Sequence, residues 1–269
     1  MRLILFCLLA LFGCSSPDND RYVVSSDTPN LKPMVILHDG PGLTYSYIYE
    51  YLLPLKNKRE LIFYNQISCF KRNCNLKPVE ISDLTKQLEE VVAKFNGNYT
   101  ILADGWADIL LMEFLTTTPK EIHPNELILV NPIPLSWVQA YEILSKNSQS
   151  FSEEDKAVLE LIEKPSQCID ALNIALKNLL KYPQKDKKLY FEKYDCMLAK
   201  YLGNTNSNYD YSFFEYLLPK KTTIIYGKES IFNKGFFSNK KVIEITQSSN
   251  YPYYENNDLF IEETLKILD

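Results

Sequence analysis

The sequence predicts an α/β fold: a mostly parallel sheet with helices on both faces, interrupted by an all-helical insert. Three observations carry this. Short apolar runs without polar alternation recur along the chain, as strands buried on both faces require. Helical patterns alternate with those runs at the spacing of βαβ units. Between Leu135 and about Leu218 the strand signal disappears and only helix signals remain.

In chain order, Met1 to Gly13 carries one basic residue, Arg2, and an apolar run from Leu3 to Phe12. That run falls short of the ~20 residues of a spanning helix and reads as a signal-peptide core. Leu11-Phe12-Gly13-Cys14 resembles the bacterial lipobox, which implies lipidation of Cys14. An ordinary secretory signal cut near Ser15 or Ser16 is the alternative. Ser15, in place of an aspartate after the cysteine, implies by the same resemblance an outer-membrane destination. Residues 14–30 are polar and read as a flexible tether, within which Arg21 to Ser25 could add a short edge strand.

The first firm strand is Met34 to Leu37, ending in His38-Asp39-Gly40-Pro41-Gly42. A helical pattern covers Tyr45 to Leu55 and a second strand Glu60 to Tyr64. From Asp83 to Phe95, Leu84, Leu88, Val91, Val92 and Phe95 recur at helical spacing, with Ser82 placed to cap. Tyr99 to Asp108 is a strand that breaks at small residues and turns at once into a helix through Thr117. Leu127 to Val130 is the next strand and leads into Asn131-Pro132. In the insert, Ser152 with Asp155 forms a capping-box start for a helix through Glu163; Pro165 and Ser166 open another to Tyr182, and Lys187 to Leu202 forms a third before Gly203. Strands resume at Thr222 to Tyr226 and Val242 to Ile245, and Asp258 to Leu268 closes as an amphipathic helix. The expected division is therefore a signal peptide at 1–13, a tether at 14–30, a core at 31–134 and 219–269, and a helical cap at 135–218.

At 269 residues and 46% hydrophobic, the chain can bury a substantial core. A net charge of −5 with no basic stripe excludes nucleic acid as a natural partner. Glycine is scarce, 8 residues where average usage of about 7% would give roughly 19. With Cys14 acylated, Cys69, Cys74, Cys168 and Cys196 remain in an oxidising compartment. Cys69 and Cys74 are near enough for a local bridge and Cys168 could join Cys196; free buried thiols are the alternative. Neither histidine, His38 nor His123, lies beside a cysteine, so zinc is not called for. The sequence calls for no cofactor.

Strand, tight turn and helix at Tyr99 to Asp108 have the layout of the nucleophile elbow of α/β-hydrolases, with Ala103 and Ala107 flanking Gly105 where a serine would stand. The wider chain resembles the proline iminopeptidase branch of that fold. His38-Asp39-Gly40-Pro41-Gly42 is similar to its His-Gly-Gly-Pro-Gly, and Phe63 to Cys69 to its Tyr-Asp-Gln-Arg-Gly-Cys segment. Asp104-Gly105-Trp106-Ala107-Asp108 falls on Gly-Ser-Trp-Gly-Gly, and the helical insert falls where the family places its cap. The resemblance implies an α/β-hydrolase fold whose three triad positions, nucleophile, acid and base, are replaced here by Gly105, Ser230 and Asn250. Gly227-Lys228-Glu229-Ser230 matches the family's Gly-x-x-Asp, and Asn250 precedes the aromatic run Tyr251-Pro252-Tyr253-Tyr254 where the histidine would be.

Acyl transfer needs a nucleophile, a base and a group that orients the base. Glycine has no side chain, asparagine no useful basicity, and no histidine follows His123. Asp39, beside the expected oxyanion hole, would oppose negative charge there. Glycine at 105 does suit a turn with positive φ. Asp104 is the remaining candidate nucleophile, but its flanks Leu102 and Trp106 are large where small residues are needed. Ser68 and Ser230 have no basic neighbour in sequence. His38 reads as a hydrogen-bonding turn residue and His123 as a surface one.

The site expected from sequence is a pocket of His38, Asp39, Gly40, Asp104, Gly105, Trp106, Asp108 and Glu229. Its carboxylates could be ordinary loop and cap residues, or could bind a cationic group such as a peptide amino terminus or a metal ion. The function expected is a catalytically inactive, lipid-anchored protein of the cell envelope that binds a small ligand, a peptide or an envelope partner. A relocated or metal-assisted catalytic set, and an accessory subunit of an envelope complex, are the rival expectations.

Overall fold

The computed structural model describes residues 21–24, 30–67, 79–160, 168–183, 189, 194–195, 198, 202, 208–232, 237 and 239–269. Among the described residues seven strands form one sheet: β1 (Arg21–Val24), β2 (Pro33–Leu37), β3 (Glu60–Tyr64), β4 (Thr100–Asp104), β5 (Glu126–Val130), β6 (Lys221–Gly227) and β7 (Lys241–Ile245). Their order across the sheet is β1-β3-β2-β4-β5-β6-β7; only the β1–β3 pair is antiparallel. The six parallel strands with flanking helices are the α/β-hydrolase arrangement expected from sequence.

Alternate strand residues feed two cores, as the period of two requires. Met34, Ile36, Leu61, Phe63 and Leu102 point to the face covered by α1 (Ser46–Leu52) and the closing helix Asn257–Leu268. Val35, Leu37, Ile62, Ile101 and Ala103 point to the face covered by α2 (Ile81–Val92) and α3 (Ala107–Thr117). Both faces of β4 and β5 are buried along their whole length, which is why their sequences show no polar alternation.

The short edge strand expected at Arg21 to Ser25 forms as Arg21–Val24 and pairs with the free edge of β3, where an extended segment completes the ladder that β3 leaves open. Other local expectations are corrected. The helix from Tyr45 ends at Leu52 and tightens to a 3₁₀ turn, Leu53–Asn57, around Pro54. Glu80, not Ser82, caps α2: its carboxylate receives the Asp83 amide while Asp83 returns a bond to the Glu80 amide. Ser152 does cap α5 (Glu153–Glu160), accepting the Asp155 amide at 3.0 Å. The Asp155 carboxylate, however, turns to Lys177 and Asn178 of a neighbouring helix, Cys168–Leu179.

The insert also contains structure with no specific sequence expectation. Trp137–Ser148 forms α4; numbering continues with α5, α6 (Cys168–Leu179), α7 (Pro252–Glu255) and α8 (Asn257–Leu268). The insert is not wholly helical, since Ser136 and Asp210 form an isolated antiparallel bridge. Trp137 donates to Tyr209 O at 3.0 Å and Tyr211 to Leu135 O at 2.7 Å, so the two ends of the insert are tied where they leave the core. The signal segment, Cys14, Cys69, Cys74, Cys196, the Cys168 side chain, Ser68 and most of the helix expected at 187–202 lie outside the described residues. Among the described residues no helix is long and apolar enough to cross a membrane.

Candidate functional site

Parallel strands end on one side of the sheet, and their C-terminal turns there enclose a cavity of about 250 Å³. Its floor is laid by Asp39 and Gly40 after β2, by Asp104, Gly105 and Trp106 at and after β4, and by Asn131 and Asn250 after β5 and β7. The insert supplies the roof with Trp137, Ala140 and Leu144 of α4, joined by Tyr209. The walls are mostly apolar and aromatic over a polar floor, the usual composition of a small-molecule site.

The turn after β4 positions the centre of that floor. Gly105 sits at φ +55°, the left-handed region a tight strand-to-helix turn requires. Its amide donates to Val130 O at 3.0 Å, holding the turn against β5. A Cβ on Gly105 would lie 2.5 Å from Asp39 Oδ1 and 2.6 Å from its Cγ. The Asp39 carboxylate therefore fills the space in which any side chain at position 105 would begin.

The bonds of Asp39 give that placement its meaning. Oδ1 accepts the backbone N–H of Trp106 at 2.7 Å and of Gly40 at 2.8 Å. One donor follows the elbow position and the other comes from the turn after β2, which is the pair that forms an oxyanion hole in α/β-hydrolases. Here a carboxylate oxygen of the chain itself is the acceptor. Burial pushes the Asp39 pKa up to about 6, with the Trp106 and Gly40 amides holding it back.

Asp104 lies beside Asp39 and is fully buried, Oδ2 accepting the hydroxyls of Tyr47 and Tyr253, each at 2.8 Å. Tyr47 in turn accepts the Asp39 amide at 2.6 Å. Burial first, and then the charge of Asp39, push the Asp104 pKa well above the ordinary carboxylate value against the pull of the two tyrosines. With its charged form disfavoured by burial and one oxygen held by two hydroxyls, Asp104 is poorly set up as a nucleophile.

The positions that the resemblance assigns to acid and base meet each other. The buried Ser230 hydroxyl donates to Asn131 Oδ1 and has Asn250 Oδ1 at 3.1 Å. Asn250 Nδ2 donates to Leu179 O at 2.9 Å, and its Oδ1 also receives the Ile231 amide at 3.3 Å. Asn250 thus joins the end of α6 to the loop after β6. Gly105 and Asn250 line one cavity, and Ser230 lies beside it, bonded to the lining residues Asn131 and Asn250.

Three residues of the expected pocket stand elsewhere. His38 is buried beneath the turn: Nδ1 lies 2.7 Å from Asp39 O, which can only accept, while Nε2 accepts the Gln66 amide at 3.2 Å. Those two bonds define a neutral ring, and burial lowers its pKa to about 4. Glu229 is on the surface, bonded to Lys181 and to the Tyr182 hydroxyl. Asp108, in the first turn of α3, is buried behind the cavity, and neither oxygen makes a hydrogen bond of good geometry. Its pKa is pushed well up by burial and by Asp39, with the nearby Ile109 and Ile133 amides opposing. His123 lies in the connection before β5, Nε2 3.1 Å from Thr118 O, away from the site.

Sequence reasoning missed the tyrosine pair on Asp104 and a buried carboxylate that holds the cap. Glu255 of α7 accepts the backbone amides of Lys181 and Tyr182 at 3.0 Å and of Ser249 at 2.6 Å. It is an acid at the end of an aromatic run, and nothing local marks it as the acceptor for a segment some seventy residues earlier. Among the described residues no group of three or more His, Cys, Asp or Glu is placed to hold a metal ion.

No protein-family model matches the sequence, and no curated protein sequence matches it significantly. Many solved structures match the fold. A protein named VinJ superposes with a TM-score of 0.70 at 12% identity, over 92% of this chain and 93% of that one. A proline iminopeptidase from Mycobacterium smegmatis superposes at 0.63 and 13% identity, over 92% and 93%. A proline iminopeptidase-related protein from Thermus thermophilus gives 0.61 and 15% identity, over 94% of both chains. At such identities these likenesses speak for the fold alone: the chain has the α/β-hydrolase fold, and proline iminopeptidases are among its structural neighbours.

Proposed function

We propose that this chain is a small-ligand-binding protein built on an α/β-hydrolase fold from which the hydrolytic chemistry is gone. One observation carries the reading: the Asp39 carboxylate accepts the Trp106 and Gly40 amides next to a residue without a side chain. A substrate oxyanion would have to displace an anion to reach those amides, the reverse of the preorganised stabilisation that acyl transfer relies on. Glycine at the nucleophile position, serine at the acid and asparagine at the base are consistent with this reading. The open cavity favours a bound ligand over a purely structural role, since a packed interior would have left no such space. The lipobox-like segment at Cys14 supports placement of the protein on an envelope membrane, facing away from the cytoplasm.

The test is activity-based labelling. Purified mature protein is expected to take up no fluorophosphonate probe and to turn over neither p-nitrophenyl esters nor aminoacyl p-nitroanilides. Turnover that disappears in Asp104→Ala would overturn the proposal, because it would identify Asp104 as a working nucleophile. Loss of palmitate incorporation in Cys14→Ala cells is the expected outcome for the anchor; equal incorporation would remove it.

A further inference from the structure

We infer that the cavity takes a small monovalent organic cation, a protonated or quaternary amine, with its charge against Asp39 and its hydrocarbon against the rings of Trp106, Trp137, Tyr209 and Tyr251. This rests on the binding reading above and adds the class of ligand.

Charge balance is the first argument. Burial disfavours the charged forms of Asp104 and Asp108, so the charge that needs a partner is that of Asp39, and among the described residues no lysine, arginine or charged histidine pairs with it. Only Asp39 of the three is partly exposed. Its Oδ1 is held by two amides, whereas Oδ2 receives no protein donor among the described residues. A half-buried carboxylate facing an apolar cavity without a partner cation is unfavourable, and a cationic ligand would offset that cost.

The walls then select among cations. Calcium and magnesium ions take six or more oxygen ligands, and these walls are largely carbon; among the described residues no group of three or more His, Cys, Asp or Glu is placed to hold a transition metal. Aromatic faces instead favour weakly hydrated organic cations through the ring quadrupole. Anions are disfavoured because the amides that could hold one are already occupied by Asp39. At about 30 Å³ per water, the cavity holds the equivalent of about eight waters, enough for one small amine with a ring or short chain.

The chain has two tryptophans, and both line the cavity, so intrinsic fluorescence reports on it directly. Titration of the mature protein at neutral pH with benzylamine, benzyl alcohol and benzoate compares a cation, a neutral molecule and an anion of like shape. Benzylammonium is expected to bind saturably and about tenfold or more tighter than benzyl alcohol, with benzoate weakest. Asp39→Asn, which keeps an acceptor for the two amides, is expected to reduce that preference to near unity; Glu262→Gln on the surface leaves it unchanged. Equal binding of cation and alcohol, tighter benzoate, absence of saturable benzylammonium binding, or a preference that survives Asp39→Asn would each overturn the inference. Failure here without esterase turnover removes only the ligand class. Turnover in the labelling experiment removes the binding reading, whatever the amine preference.

Discussion

Replacing Gly105 by alanine tests the coupling between the empty nucleophile position and the carboxylate that fills it. The added Cβ would lie 2.5 Å from Asp39 Oδ1, so the carboxylate must shift by about 1 Å to reach ordinary contact. Such a shift breaks its bonds to Trp106 and Gly40, now 2.7 and 2.8 Å. Hydrogen bonds to a charged group contribute roughly 1.5–3 kcal/mol each, reduced here because the displaced carboxylate can meet water in the cavity. About 2 kcal/mol is a fair sum for the pair. The positive φ of 55° adds about 1–2 kcal/mol for any residue with a Cβ. Gly105→Ala should therefore destabilise by about 3–4 kcal/mol.

In an Asp39→Ala background the clash is absent and only the backbone term of about 1–2 kcal/mol should remain. Urea unfolding of the wild type, both single variants and the double variant gives the coupling energy, expected at about 2 kcal/mol in favour of the double variant. A cycle that closes to within about 0.5 kcal/mol would refute the reasoning, since the two sites would then be independent.

Two further predictions concern buried carboxyls. Asp108 has a raised pKa in the folded protein, so its ionisation opposes folding increasingly as pH rises above the unfolded value of about 3.9. Asp108→Asn should match the wild type in acid and exceed its stability by about 1 kcal/mol or more at neutral pH, as read from unfolding midpoints across pH; a variant less stable at every pH would count against a burdened carboxyl. Glu255→Ala should leave the amides of Lys181, Tyr182 and Ser249 without their acceptor, lower stability by about 3 kcal/mol and expose 135–218 to limited proteolysis, whereas an unchanged digestion pattern would show that Glu255 does not hold the cap.

The layered core was legible because β2, β4, β5 and β6 are buried on both faces and so carry apolar stretches without polar alternation. Gly105 was legible for a related reason: a strand that enters a helix through only two residues, Gly105 and Trp106, needs a positive φ at the first of them. Asp39 was legible as an acid near the oxyanion hole, but its occupation of the hole was not. That depends on the missing side chain at residue 105 and on the Trp106 amide, which lies sixty-seven positions from Asp39 in sequence. Asp108 and Glu229 look alike in sequence to Asp39, each an acid near a strand end. Helix packing buries the first and leaves the second at the surface, and neither outcome is encoded in local spacing. The cap was legible as helical, yet α4 was not resolved as an element because Ala140 alone among its residues is fully buried, leaving a weak apolar stripe.

The most direct test of the account follows the Trp106 and Gly40 amides by NMR in deuterated protein. If the Asp39 carboxylate occupies the hole, both N–H resonances shift together as pH is varied, with a midpoint of about 6, and the step vanishes in Asp39→Asn. Amides that stay fixed through that midpoint, or that titrate unchanged without Asp39, would mean that the hole is free and would contradict the central claim.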